Sequence, residues 1–226
     1  MQGAVHDSAR MTLEEVLDVM CAADARGEDV VRLHTGDPCL YGAIQEQMDA
    51  LAARGIAFEV VPGVSSFCGA AAALRQEYTL PGISQSVVIT RLEGRTPMPA
   101  GEDMRTMAAS GSTMVVFLSS GMLEELSAEL LAAGRAADEP AALVYKATWP
   151  EEKVVRCTVA TLAAAAREAG IDRTALVVVG RVLGARAHRA HEDANGRGGQ
   201  AAAGETYDRS KLYDPAFTTG YRKAAE

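Results

Sequence analysis

VVRLHTGDPCLYG (Val30–Gly42) and FEVVPGVSSF (Phe58–Phe67) decide the reading of this chain. Each is a short β-branched run that ends in a turn of Gly, Pro and small polar residues, and each leads into a helical pattern. Strand, tight turn and helix N-terminus in that order line up main-chain N–H groups at the carboxyl edge of a sheet, where open α/β layers hold small ligands. Two such turns from neighbouring units predict a pocket. The flanking sequence agrees. In Thr12–Arg26, the residues Leu13, Val16, Leu17, Met20 and Cys21 fall on one helical face, Thr12 and Glu15 form a capping box, and Gly27 closes the helix. Asp29–His34 and Ala57–Val61 are expected strands. Tyr41–Arg54 and SFCGAAAALRQ are expected helices, the second capped by Ser65 or Ser66. Short loops between alternating strands and helices imply a mostly parallel N-terminal sheet with right-handed crossovers.

The pattern changes at TLPGISQ (Thr79–Gln85), which places a domain boundary near residue 84: an N-terminal α/β lobe over 1–84 and a C-terminal α/β lobe over 85–226. In the second lobe SVVITR, STMVVFLSS, AALVYKATW, EKVVRCTV and TALVVVGRVL read as strands. AALVYKATW and EKVVRCTV are close enough for an antiparallel pair, so this sheet is expected to be mixed. MLEELSAELLAAG and TLAAAAREAG read as helices, and a further short one follows the loop that begins at RTPMP. Ala185–Arg209 is glycine-rich, without apolar periodicity, and reads as a flexible surface insertion. Its His188, His191, Glu192 and Asp193 are potential metal ligands by type, but a polar loop gives them no fixed geometry, so no metal is expected.

Composition excludes several classes. The 226 residues carry 22 basic and 30 acidic side chains, a net charge of −8, whereas nucleic-acid binding draws its affinity from a basic excess. No apolar run approaches a membrane span, and MQGAVHDSARM has no secretory-signal design. Cys21, Cys39, Cys68 and Cys157 are widely spaced without a C-x-x-C pair, as expected of free thiols in a reducing cytoplasm. G-x-S-x-G, G-x-G-x-x-G and the phosphate-binding loop are absent from the sequence. His34 at a strand end could act in acid–base chemistry, although a structural histidine is the commoner occupant of such a position. No catalytic side chain is therefore assigned. Strand-end turns remain, at Thr35–Pro38, Ser65–Ser66, Leu118–Ser120 and Tyr145–Thr148. Each alone is usually only a turn. Four at one sheet edge suit a bulky, partly apolar cofactor held by main-chain groups.

LHTGDPCLYGAIQEQ, VPGVSSF, EYTLPGISQSVVITRLEGRTPMP, VYKATWPEEKVVRCT and SKLYDPAF closely resemble the precorrin-4 C11-methyltransferases, a branch of the S-adenosylmethionine-dependent tetrapyrrole methylases. The resemblance runs from about His6 to Arg222. TGDP and VPG are common to the wider superfamily, whereas TRLEGRTPMP, KATWPEE and SKLYD point to the precorrin-4 branch. The resemblance implies two α/β lobes, a homodimer, a tetrapyrrole substrate, and S-adenosylmethionine contacted by Gly36, Asp37, Leu40, Ser65, Ser66, Leu118, Ala147, Ala175 and Leu176. It implies methyl transfer to an electron-rich substrate carbon, so the protein need supply no nucleophile. Alignment of the reacting atoms alone removes roughly 7–11 kcal/mol of barrier in well-oriented systems. A macrocycle bearing many carboxylates needs cations on an acidic protein, and Arg91, Arg95 and Lys146 are the expected anchors.

One departure from the family pattern stands out. Family members carry a strand and a GxGPGDP turn well ahead of the segment equivalent to Asp7–Glu15, and here that segment opens the sequence. A late start codon, a shortened gene and a non-catalytic remnant that dimerises or binds a tetrapyrrole are the readings this raises. Without the strand, unpaired edges, poor solubility and weak or absent turnover are expected.

Overall fold

A computed structural model of the chain describes residues 3–117, 119–187, 206–208 and 210–224. It divides into two compact units, Met1–Ser66 and Phe67–Glu226. The first holds helices α1 (Leu13–Asp24) and α2 (Gln45–Ala53). The Thr12 hydroxyl accepts from the Glu15 amide at 3.3 Å, and the Glu15 carboxylate accepts from the Thr12 amide at 2.7 Å, which is the expected capping box. Val16, Leu17 and Met20 form a small core against Met11, Leu13, Ala50 and Leu51. Helix α2 starts later than the expected Tyr41, because Tyr41 and Ala43 take φ of 58° and 50°, outside the right-handed helical region.

The expected N-terminal sheet is not formed. Among the described residues of Met1–Ser66 no strand is paired, and both 30–34 and 57–61 lack regular structure. Val31, Leu33 and Val61 stand 86%, 80% and 70% exposed. An alternating apolar run favours a strand, but a ladder needs a neighbour at hydrogen-bonding distance, and none of the described residues provides one.

The second unit meets its expectation of a mixed sheet. Strands β1 (Val87–Arg91), β2 (Thr113–Phe117), β3 (Pro140–Tyr145), β4 (Lys153–Thr158) and β5 (Ala175–Val179) lie in the order β1-β2-β5-β3-β4. The β1–β2 pair is parallel and the other three pairs are antiparallel. Helices α3 (Ser66–Leu74), α4 (Met104–Ala108), α5 (Leu123–Ala132) and α6 (Leu162–Ala169) complete it. Met114, Val116, Leu143, Val177 and Val179 alternate along their strands and share one core with Leu123, Leu126, Leu130 and Leu162. Sheet residues of period two thus meet helix residues of period near 3.6. Val115, Ala142 and Val178, pointing the other way, are equally buried.

The units part at Ser66/Phe67, earlier than the boundary near 84 that TLPGISQ suggests. Hydrogen bonds explain the shift. The Leu74 carbonyl accepts from Arg156 Nη2 at 3.1 Å, the Tyr78 hydroxyl donates to the Phe67 carbonyl at 2.9 Å, and the Thr113 hydroxyl donates to the Tyr78 carbonyl at 2.8 Å. Helix α3 and the segment after it therefore belong with the five-stranded sheet. Beyond β5, the short strands β6 (Arg186–Ala187) and β7 (Thr206–Tyr207) pair in parallel. The intervening part of the expected insertion, with His188, His191, Glu192 and Asp193, lies outside the described residues.

Candidate functional site

In the first unit the two signature turns meet. One Asp37 carboxylate oxygen accepts from the Cys39 amide at 2.8 Å, and the other accepts from the Gly63 amide at 2.9 Å. These two bonds, Gly63 first, hold the carboxyl below the usual carboxylate range. A Cβ on Gly63 would sit 2.0 Å from the Gly36 carbonyl oxygen, so only glycine allows this approach. Gly36 itself has φ of +70°, and its α-carbon lies where a Cβ would be 3.5 Å from the Ser66 amide nitrogen. Gly36, Asp37, Ser65 and Ser66 are thus one cluster, with Leu40 a single turn beyond, its amide donating to the Asp37 carbonyl at 3.3 Å. The Asp37 carboxylate is spent on the protein's own amides, so its role is to fasten VPG to TGDP. Gly36 and Ser66 remain exposed. His34 is half-buried, and burial, with Arg32 second, lowers its pKa, which keeps the ring neutral near pH 7.

In the second unit the strand register gathers the remaining positions. Arg91 lies beside Phe117, Val116 beside Val177, and Tyr145 beside Ala175. The exits of β1, β2 and β3 and the entrance of β5 therefore share one sheet edge. Ser119 latches two of them: its hydroxyl donates to the Phe117 carbonyl at 2.8 Å and accepts from the Leu92 amide at 2.9 Å, fully buried. Leu118, between these residues, lies outside the described residues. Ala147 packs on helix α3, where a Cβ on Gly69 would lie 3.6 Å from its own. Ala175 and Leu176 are buried at this edge, paired with Tyr145 and Val144.

The expected cationic anchors differ in their surroundings. Arg91 donates to the carbonyls of Leu92, Thr96 and Pro97 at 3.3, 3.0 and 3.0 Å. Its fork is turned onto its own loop. Arg95, carried on that loop, is exposed and makes no hydrogen bond or ion pair among the described residues. Lys146 is partly buried, its ammonium 5.1 Å from the Trp149 ring centroid, 5.5 Å from that of Tyr145 and 3.6 Å from Glu151. Burial raises the Cys157 thiol to about 11, so it is no nucleophile at neutral pH. Sequence reading missed the Ser119 latch and Trp149. A small hydroxyl directly after a buried strand, and a tryptophan amid polar residues, were the available signals.

A mixed-sheet α/β unit with such turns at one edge defines a class, and the comparisons state which. Residues 2–163 match the family of tetrapyrrole (corrin/porphyrin) methylases, and the chain belongs to that family. It is 45% identical over 220 residues to a cobalt-precorrin-4 C(11)-methyltransferase of Methanocaldococcus jannaschii, covering 97% of this chain and 78% of the relative. It is 48% identical over 183 residues to a precorrin-4 C(11)-methyltransferase of Rhodococcus erythropolis, covering 80% and 73%. Among solved structures, the cobalamin biosynthetic enzyme cobalt-precorrin-4 methyltransferase superposes with a TM-score of 0.77 at 45% identity, over 79% of this chain and 75% of that one. The uroporphyrin-III C-methyltransferase of Thermus thermophilus in complex with S-adenosylhomocysteine superposes at 0.61 and 28% identity, over 75% and 74%.

Proposed function

We propose that this chain is an S-adenosylmethionine-dependent C-methyltransferase acting on C11 of precorrin-4 or cobalt-precorrin-4 in cobalamin biosynthesis. The observation that carries the proposal is the 45% identity to a methylase of that specificity across 97% of the chain. The same identity counts against the reading of a non-catalytic remnant.

The turn at Gly36 suits the methyl donor: exposed main-chain groups, a bare α-carbon and the exposed Ser66 beside it form a small polar ledge. When bound, S-adenosylmethionine supplies a methyl carbon on a sulfonium that leaves as a neutral thioether when a carbon electron pair attacks. Gly36, Leu40, Ser65 and Ser66 hold the donor through main-chain and hydroxyl groups, and Asp37 keeps their turns in register. In the second unit Ala147, Ala175 and Leu176 offer main chain, and Leu118 belongs to the same assignment by sequence. Arg95 and Lys146 receive substrate carboxylates, while Arg91 stiffens the loop that presents Arg95. The substrate's own carbon is the nucleophile, so the protein contributes orientation. We place the enzyme in the cytoplasm, in line with its four free cysteines, and take the homodimer from the family resemblance.

Anaerobic incubation with precorrin-4 and S-adenosylmethionine tests the proposal, with the product's mass and methyl position as readout and calorimetric binding of S-adenosylhomocysteine in parallel. A product methylated at C11 is expected. Absence of both methylated product and cofactor binding would overturn it.

A further inference from the structure

The loop after β3, residues 146–152, is strained. Lys146 and Thr148 take φ of 45° and 71°, conformations that cost of order 1–3 kcal/mol each in non-glycine residues. Such strain persists only where the surroundings over-determine the loop. Here they do so with hydrogen bonds: Lys146 N–H to Thr174 O at 3.0 Å, Trp149 N–H to Lys146 O at 3.0 Å, and Thr148 N–H to a Glu152 carboxylate oxygen at 2.7 Å. The result is a hydrogen-bonded frame that holds Trp149 53% exposed, just beyond the sheet edge where Tyr145 pairs with Ala175. A half-exposed indole on such a loop is an unusual use of a residue that normally buries its large apolar surface.

The side chains beside it have a matching chemistry. The Lys146 ammonium lies 5.1 Å from the indole centroid and 5.5 Å from the Tyr145 ring, a geometry that keeps a cation next to an aromatic face. Its ionic partner, Glu151, is 3.6 Å away and 58% exposed, a contact weak enough to exchange. An aromatic face with an adjacent cation whose counter-ion is displaceable recognises a flat conjugated ring that carries carboxylate arms. Spacing agrees as well. The Arg91 end of β1 and the Tyr145 end of β3 are separated by three inter-strand steps, roughly 14 Å at about 4.8 Å per step, comparable to a tetrapyrrole with its arms.

We propose that Trp149 is the stacking wall for the substrate macrocycle and that Lys146, held against it, exchanges Glu151 for a substrate carboxylate. This rests on the tetrapyrrole reading and adds to it the residue that meets the ring's face. Trp149 is the single tryptophan of the chain, so tryptophan emission reports this position alone.

The test titrates the full chain with uroporphyrin, a stable carboxylate-rich macrocycle, and measures KM for precorrin-4 alongside. Trp149→Ala is expected to weaken uroporphyrin binding and raise KM by about tenfold, the cost of losing one aromatic stacking face. Trp149→Phe should keep most of the affinity, and both variants should bind S-adenosylhomocysteine as the parent does. Glu151→Gln is expected to tighten uroporphyrin binding several-fold at low salt, and only while Lys146 is present. Unchanged porphyrin affinity in Trp149→Ala, or an equal loss of cofactor binding, would overturn the wall. A chain that shows the Ala/Phe difference but methylates nothing would leave the wall standing and remove the methyltransferase assignment.

Discussion

Val30–His34 and Val87–Arg91 are almost the same kind of sequence, a β-branched run that leads to a site turn, yet the molecule treats them differently. Val87–Arg91 pairs residue by residue with Thr113–Phe117, and the strands behind it are buried on both faces. Val30–His34 has no ladder partner among the described residues and leaves Val31 and Leu33 in solvent. The contrast teaches that a strand is a property of a neighbourhood. Local sequence supplies the alternation, and only a second backbone turns it into structure.

Amide hydrogen exchange offers the widest gap with which to break this comparison. Amides of Val115, Val177 and Val178 should open only with global unfolding, a protection of about 5–15 kcal/mol in ordinary domains, whereas those of Val31 and Leu33 should exchange near the unprotected rate. Equal protection in both regions would mean that the first unit finds a partner for its backbone. Next in size is a matched pair of truncations. Leu143→Ala, at a fully buried site, should lower the unfolding free energy by roughly 2–5 kcal/mol, and Leu33→Ala, at 80% exposure, by less than about 0.5 kcal/mol in denaturant titrations.

Smaller effects sharpen the picture within the first unit. Thr12→Ala removes half of a complete capping box and should cost about 0.5–2 kcal/mol of the stability of α1, read by thermal melting of that unit's helical signal. The smallest expected effect is acid loosening of the joined turns. The folded Asp37 carboxyl is lowered, so its contribution is present above the unfolded value of roughly 3.9 and fades as pH falls through the folded one. Cofactor affinity should therefore hold at neutral pH and weaken on acidification below about pH 4. Asp37→Asn, which replaces one acceptor by a donor facing the Gly63 or Cys39 amide, should show the weakening already at neutral pH and lose this acid step.

Much of the site was legible because its chemistry is local. TGDP and VPG announce themselves through Gly and Pro at turns, and the capping box through Thr12 and Glu15. Strands β1–β5 and helices α3–α6 follow from apolar runs and helical periodicity. The division at Ser66/Phe67 was not legible because TLPGISQ looks like a linker, whereas hydrogen bonds from Arg156 and Thr113 tie the preceding residues to the sheet. Such bonds join residues far apart in sequence and leave no periodic trace. The surroundings of Arg91 were hidden for a related reason: a guanidinium reads as a ligand group, and the loop that folds back onto it leaves no local signal.

Sequence by itself determined the class, the methylase motifs and the turn residues that permit close backbone approach, because these depend on side-chain identity and on φ preferences set residue by residue. Tertiary structure alone decided which runs became a sheet, that Asp37 joins two turns instead of facing outward, and that Trp149 stands exposed over Lys146. Those outcomes depend on what the folded chain brings within a few ångströms, and hydrogen bonds and packing act only across such distances.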